Sequence, residues 1–148
     1  MLAPACTAID TRQPAPKFQG KTLDGERFDN QSLKGKVVLL QAWTTWCGYC
    51  RREQPILDAL LKEFKPKGLV ILAVNVGEDR AKVKGYLERS PRACKVVLSE
   101  DTNLASMFPG NGFPQYVLID RESKVVDGQE GAGGESALRE LLRQADLV

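Results

Sequence analysis

The chain has 148 residues, with 21 basic and 19 acidic side chains and a net charge of +2. This length suits one compact domain with a sizeable core, and the nearly balanced charge lacks the basic stripe typical of a nucleic-acid-binding protein. No apolar run is long enough to span a membrane. The chain contains no histidine, which excludes Cys–His and Ser–His catalysis and histidine metal ligands.

The N-terminal part of the chain predicts an arm followed by a hairpin and a buried strand. Residues 1–15 are rich in alanine, proline and threonine, and we expect residues 1–13 to form an arm left after a removed signal or anchor. Residues 14–148 are expected to form a single domain. Within it, residues 22–28 predict a β-hairpin with Asp24-Gly25 as its turn. The apolar run 37–42 predicts a strand that is covered on both faces.

Helices and strands are predicted to alternate along the rest of the chain. The spacing of Ile56, Leu57, Leu60, Leu61 and Phe64 is typical of one face of an amphipathic helix. Periodicity and apolar runs then predict, in order, a strand at 69–74, a helix at 80–89, a strand at 96–98, a short helix at 103–108, strands at 115–119 and 125–130, and a closing helix around 137–145. This order predicts an α/β fold with a mixed central sheet flanked by helices.

The most informative motif is Trp46-Cys47-Gly48-Tyr49-Cys50, between the predicted strand and the predicted helix. Two cysteines at this spacing can form a small disulfide ring at the start of a helix, where free N–H groups and the helix dipole stabilise a thiolate. Cys47 is expected to be the exposed nucleophile, and Cys50, one turn further on, the more buried thiol that resolves a mixed disulfide. The alternatives are half of a metal site or a structural disulfide.

Several ordered motifs resemble the thioredoxin superfamily, and within it the TlpA/ResA-like extracytoplasmic thiol-disulfide oxidoreductases. Glu53 and Pro55 fit a C-x-x-E-x-P continuation of the cysteine motif. Residues 112–120 fit the G-x-P-x-x-x-[LI]-[IV]-D segment that carries the family's cis-proline, here Pro114. Segments 14–25 and 33–38 are similar to the entry hairpin of that branch and to its lead-in to the active-site strand.

The resemblance implies a thioredoxin-like fold with an added N-terminal β-hairpin, and a site built around the two cysteines. Pro114 would follow a cis peptide bond, and the backbone of Phe113 would pair with an extended substrate segment. Trp46, Gly48 and Tyr49 would shape the surface around the dithiol. The resemblance implies no cofactor besides the redox-active disulfide Cys47–Cys50, and no metal site.

Two residues depart from the commoner patterns of the superfamily. Gln41 stands where thioredoxins have a buried aspartate, and an amide cannot carry a proton between groups. Glu78 resembles, by its place after the second central strand, an active-site glutamate of the TlpA/ResA-like branch. We therefore expect Glu78 to lie beside Cys50, to have a raised pKa and to exchange the proton of that thiol; the alternative is a solvated loop carboxylate. Tyr49 stands where many relatives have proline.

The resemblance also implies partners and a cellular location. The working direction would be reduction of disulfides in extracytoplasmic proteins, in the periplasm or at the outer face of the cell membrane. Apocytochrome c and copper-site proteins are the expected substrates, in cytochrome c maturation or copper-site assembly. A membrane thiol transporter would supply the electrons. The protein is expected to be a monomer that binds no nucleic acid.

Cys6 and Cys94 stand apart from the cysteine motif. In an oxidising compartment they can form a structural disulfide that joins the N-terminal arm to the segment before residue 96. Cys6 as the lipid-bearing residue of a lipoprotein, or two free thiols, are the other interpretations.

Three other functions remain open for the cysteine motif. Thr44 and Cys47 fit the T-x-x-C of a peroxiredoxin-type peroxidase, although Leu40 stands where its proline is expected. A metallochaperone would bind Cu(I) through Cys47 and Cys50, since thiolates suit that ion. A net disulfide oxidase or isomerase would use the same residues as a reductase.

Overall fold

The computed structural model describes residues 12–147. In this part of the chain eight strands form one sheet: β1 (Gln13–Pro14), β2 (Gln19–Thr22), β3 (Arg27–Asp29), β4 (Val37–Trp43), β5 (Leu69–Asn75), β6 (Lys95–Thr102), β7 (Gln115–Ile119) and β8 (Lys124–Glu130). The three α-helices are α1 (Gly48–Phe64), α2 (Arg80–Arg89) and α3 (Gly134–Arg143). Two 3-10 helices span Lys65–Lys67 and Leu104–Met107.

The sheet is mixed, as predicted, with the strand order β1-β8-β7-β4-β5-β6-β2-β3. Strands β4, β5 and β6 run parallel and are connected through α1 and α2, whereas β7 pairs antiparallel with β4 and with β8. The predicted hairpin is confirmed: β2 and β3 pair antiparallel, and β2 extends the sheet beyond β6. Gly25 has a φ of +92° in its turn, a conformation that glycine adopts without strain.

Strand β4 lies at the centre of the core, and its side chains alternate between the two faces of the sheet. Val37, Leu39 and Trp43 belong to the face where all three α-helices pack, with apolar residues of α1 and α3 such as Leu57 and Leu138. Val38 and Leu40 belong to the other face, which is covered by residues of the N-terminal hairpin region and of the second 3-10 helix: Phe18, Phe28 and Leu104. Every residue of β4 is buried, which explains its nearly continuous apolar sequence.

Two predicted elements differ from the structure in length or type. The strand predicted at 96–98 extends to Thr102 because its second half pairs with β2 of the hairpin. The helix predicted at 103–108 is a 3-10 helix over Leu104–Met107. Phe108 follows it in an extended conformation, because Phe108 precedes Pro109 and a residue before proline is disfavoured in the helical conformation. Among residues 12–147, no helix is long and apolar enough to cross a membrane.

Candidate active site

The Cys47–Cys50 pair forms a disulfide at the N-terminus of α1, at the end of the central strand β4. The two Cα atoms are 5.2 Å apart. Cys47 is the N-cap residue, and its sulfur accepts a hydrogen bond of 3.1 Å from the backbone N–H of Cys50. The first turn of α1 contains no acidic residue. In the reduced protein this N–H group and the helix dipole would stabilise a thiolate on Cys47.

The predicted difference in exposure between the two cysteines is wrong for this oxidised form. Cys47 is 4% exposed and Cys50 is 3% exposed, and both belong to the core on the helical face of the sheet. The sulfur of Cys47 is bonded to Cys50 and turned toward the first helical turn, which removes it from solvent. The position of Cys47 before the helix, rather than its exposure, therefore distinguishes the two sulfurs.

Exposed aromatic side chains surround the disulfide. Trp46 is 64% exposed and Tyr49 is 58% exposed, and they are the large hydrophobic residues most open to solvent in the described chain. The ring of Phe113 packs edge-on against Trp46, with 5.9 Å between ring centroids. The Phe113–Pro114 bond is cis, as predicted. The loop before β7 therefore lies alongside the residues that precede Cys47. A Cβ atom added to Gly48 would meet no heavy atom within 4 Å.

Glu78 has a lowered pKa, so the predicted raised pKa is wrong. Its side chain is 6% exposed. One oxygen accepts hydrogen bonds from the Thr45 backbone N–H at 2.7 Å and from the Asn75 amide at 2.9 Å. The other accepts from the Thr45 hydroxyl at 2.6 Å and pairs with Lys82 at 3.2 Å. Burial raises the pKa of Glu78, but these hydrogen bonds to Thr45, Asn75 and Lys82 together outweigh it. The carboxylate anchors the turn that leads into Cys47.

Glu53 is the more deeply buried carboxyl group of the site, and the sequence motifs alone assigned it no chemical role. It lies three residues after Cys50 on α1 and is 2% exposed. Residues at this spacing lie on the same face of a helix. Burial raises the pKa of Glu53, and hydrogen bonds from the Tyr116 hydroxyl, at 3.2 Å, and from the backbone of Gly134 oppose that rise. A buried carboxyl group with a raised pKa, one helical turn from a reactive thiol, is a candidate for proton exchange with that thiol.

The helical spacing of the buried residues of α1 could have identified Glu53 from the sequence. The predicted apolar stripe contains Leu57, Leu60 and Phe64, and continuing it toward the N-terminus at helical spacing leads through Glu53 to Cys50. All five residues are buried. A carboxyl group on such a face, next to a reactive thiol, is a candidate for proton transfer from its position alone.

Cys94 is buried just before β6, and burial raises the pKa of its thiol. Cys6 lies outside the described residues, so the Cys6–Cys94 disulfide stays a prediction. In the described part of the chain, no group of three or more His, Cys, Asp or Glu side chains is arranged to hold a metal ion.

Comparisons with known proteins agree on one family. The Redoxin family model matches residues 10–142. The chain is 33% identical over 135 residues to the thiol-disulfide oxidoreductase ResA of Bacillus subtilis (strain 168), a match that covers 91% of this chain and 75% of that protein. It is also 33% identical over 119 residues to ResA of Geobacillus thermodenitrificans (strain NG80-2), covering 80% of this chain and 68% of the relative.

Solved structures with the same fold include two bacterial proteins. One is a thiol:disulfide interchange protein of the thioredoxin family from Chlorobium tepidum TLS, with a TM-score of 0.78 and 27% identity, covering 90% of this chain and 96% of that one. The other is the thioredoxin domain of a thiol-disulfide oxidoreductase from Bacteroides vulgatus, with a TM-score of 0.73, 27% identity and the same coverage. The predicted thioredoxin-like fold is thereby confirmed. The chain belongs to the Redoxin family, and it is a TlpA/ResA-like thiol-disulfide oxidoreductase of the thioredoxin superfamily.

Proposed function

We propose that the protein works as a reductant of disulfides in extracytoplasmic proteins, through the Cys47–Cys50 dithiol. The observation that carries this proposal is the cysteine pair at the N-terminus of α1, bordered by exposed aromatic side chains. The N-cap position favours a thiolate on Cys47, the species that attacks a disulfide. The family membership supports disulfide exchange as the reaction.

The reduction proceeds in two exchange steps. The Cys47 thiolate attacks one sulfur of the substrate disulfide, a mixed disulfide forms, and the other substrate sulfur leaves as a thiolate. The Cys50 thiolate then attacks the Cys47 sulfur, which closes the Cys47–Cys50 disulfide and releases the second substrate sulfur. Two electrons pass from the dithiol to the substrate, and the two protons that the cysteines lose are taken up by the substrate thiolates.

Glu53 handles the proton of Cys50 in this scheme. It lies one helical turn after Cys50, is buried with it, and has a raised pKa. It accepts the proton when Cys50 becomes the attacking thiolate and passes it on as the product leaves. Glu78, with its lowered pKa and its bonds to Thr45, positions the turn before Cys47 in this scheme.

The substrate segment would lie across the aromatic surface formed by Trp46, Tyr49 and Phe113. Aromatic side chains are frequent anchors at protein interfaces, and the backbone of Phe113, before the cis bond to Pro114, would pair with an extended segment. We propose apocytochrome c and copper-site proteins as substrates, a location in the periplasm or at the outer face of the cell membrane, and a membrane thiol transporter as electron donor. The resemblance to the extracytoplasmic branch of the family supports these assignments.

A defined peptide tests the mechanism. We expect the reduced protein to reduce an oxidised C-x-x-C-H peptide, the haem-attachment motif of c-type cytochromes. Cys50→Ser should stop at a mixed disulfide with the peptide, visible as a mass increase, whereas the matched Cys47→Ser variant should form none. An intact peptide disulfide after incubation with reduced protein would contradict the proposal. Peroxide consumption or tight Cu(I) binding without peptide reduction would favour a peroxidase or a metallochaperone instead.

A further inference from the structure

A chain of hydrogen bonds connects a partly buried arginine to the Glu53 carboxyl group. The Arg92 guanidinium donates to the Gln41 side-chain oxygen at 2.8 Å. The Gln41 amide nitrogen donates to the Tyr116 hydroxyl at 3.1 Å, and that hydroxyl donates to a Glu53 oxygen at 3.2 Å. Gln41 and Tyr116 are buried. The chain thus runs from the loop before β6 across β4 and β7 to α1.

Arg92 fixes the direction of every bond in this chain. A guanidinium group can only donate, so Gln41 must turn its oxygen toward Arg92 and its NH₂ group toward Tyr116. The Tyr116 hydroxyl accepts from that NH₂ group and has its single hydrogen left for Glu53. Burial raises the pKa of Tyr116 further above its ordinary value, so the hydroxyl keeps this hydrogen at neutral pH. The chain therefore always presents a donor to Glu53.

The position of Arg92 is itself held by neighbouring side chains. Its guanidinium lies over the ring of the buried Trp43, 5.0 Å from the ring centroid. The preceding residues are held by Gln54, the neighbour of Glu53 on α1, whose amide nitrogen donates to carbonyl oxygens of Ser90 and Pro91 at 3.3 and 3.1 Å. Arg92 is thus fixed relative to α1, on which Glu53 lies.

Without a donor at position 92, the Gln41 amide could rotate by half a turn. Its oxygen would then accept the Tyr116 hydrogen, and the Tyr116 oxygen would accept a hydrogen bond from protonated Glu53. Such an arrangement favours the neutral acid, whereas the observed direction favours the carboxylate. Arg92 therefore opposes the effect of burial on Glu53.

We propose that Arg92 is a positioning residue, which acts through Gln41 and Tyr116 to keep a hydrogen-bond donor directed at the Glu53 carboxyl group. The contacts of Arg92 are with Gln41 and Trp43 and not with the Cys47–Cys50 disulfide, so it acts on the reaction through Glu53. This inference rests on the proposed function for the role of Glu53 in proton transfer. The hydrogen-bond chain itself is independent of any substrate.

Other groups near Glu53 bear on its titration. Burial is the largest influence and raises its pKa, and the backbone of Gly134 at the start of α3 favours the carboxylate. Around Arg92, the acid Asp58 accepts from the Ala93 backbone at 3.1 Å, and the Cys94 thiol is buried beside both charges. Among the described residues, the titratable or charged groups near Glu53 or Arg92 include Cys50 and Asp58 on α1, Tyr116 on β7, Cys94 before β6, and Asp24, which lines the same surface cleft as Arg92.

The test is a titration of Glu53 in the oxidised, full-length protein. The side-chain carboxyl ¹³C resonance is followed by NMR and assigned by its absence in Glu53→Gln. In this form Cys47 and Cys50 carry no proton, so they do not disturb the curve. We expect Arg92→Met and Tyr116→Phe each to tighten proton binding by Glu53 about tenfold, the effect of losing one hydrogen bond to a charged group. Arg92→Lys keeps a charged donor at this position, so its Glu53 should titrate nearly as in wild type.

The double variant separates the hydrogen-bond chain from a simple charge effect. With Tyr116→Phe in place, the chain is cut, and Arg92→Met should add almost nothing. An unchanged titration in Arg92→Met, or a full added effect in the double variant, would overturn the inference. Arg92→Leu, which likewise has no hydrogen-bond donor in its side chain, replaces Arg92→Met in the same comparison if the latter does not fold. Because no substrate is used, the titration can support or refute the role of Arg92 even where the peptide test of the proposed function fails.

Discussion

Removing the Glu78 carboxylate should destabilise the turn that leads into Cys47. In Glu78→Ala the Thr45 N–H and the amide of the fully buried Asn75 lose their acceptor. An unsatisfied buried donor costs about 1–3 kcal/mol. The Asn75 amide should cost an amount near the upper end of this range, and the Thr45 N–H less, because Thr45 is only half-buried and water can reach it. We therefore expect the free energy of unfolding to fall by about 3 kcal/mol in total. Glu78→Gln keeps one oxygen for these two donors, but its NH₂ group replaces the oxygen that accepts from the Thr45 hydroxyl and from Lys82. Because both of these partners are at least partly exposed to solvent, we expect a smaller cost of about 1 kcal/mol.

Urea unfolding of the oxidised variants at several pH values measures this effect. The pKa of Glu78 is lowered in the folded state. The carboxylate therefore stabilises the fold above the ordinary glutamate pKa, and this contribution is lost as the pH falls through the lower folded-state value. The difference between wild type and Glu78→Gln should accordingly shrink in acid. Lys82→Met, which removes an ion pair whose lysine is 57% exposed, is the control and should cost less than about 1 kcal/mol. A Glu78→Ala variant within about 0.5 kcal/mol of wild type would refute the reasoning.

Two further predictions concern the hairpin and Glu53. Gly20→Ala places a Cβ atom 2.5 Å from Cζ of Phe28 and 2.7 Å from Cβ of Thr102. It should lower the free energy of unfolding by about 1–3 kcal/mol in urea titrations, whereas Gly112→Ala, with no atom within 4 Å, should not. Glu53→Gln should stabilise the oxidised protein at pH 8 by about 1 kcal/mol but not at pH 4. The pKa of Glu53 is raised in the folded protein. Wild type therefore loses stability as the pH rises from the unfolded-state pKa of this group to its folded-state pKa. A difference in stability between wild type and Glu53→Gln that does not change with pH would argue against this.

The elements that were predicted correctly are those whose local pattern and tertiary surroundings agree. The run 37–42 is apolar because both of its faces are buried, and the structure extends it by one residue, to Trp43. Helix α2 begins at Arg80 and ends at Arg89 as predicted. The extension of β6 to Thr102 depends on pairing with β2, a contact between distant segments that no local pattern contains.

The errors at the site have the same physical origin. The pKa of Glu78 depends on donors from three segments, Thr45 before α1, Asn75 at the end of β5 and Lys82 in α2. The sequence showed the carboxyl group but not the donors that converge on it. Glu53 could have been found by extending the buried face of α1. Its connection to Arg92, which lies 39 positions further along the chain, required the fold.

The equilibrium reduction potential of the Cys47–Cys50 couple tests the central claim most directly. The protein is equilibrated with buffers of defined dithiol-to-disulfide ratio, and the fraction of reduced protein is measured at each ratio. A reductant of extracytoplasmic disulfides should have a low potential, near the value of about −270 mV known for thioredoxin. A value near about −120 mV, that of the oxidant DsbA, would contradict the proposed direction of the reaction.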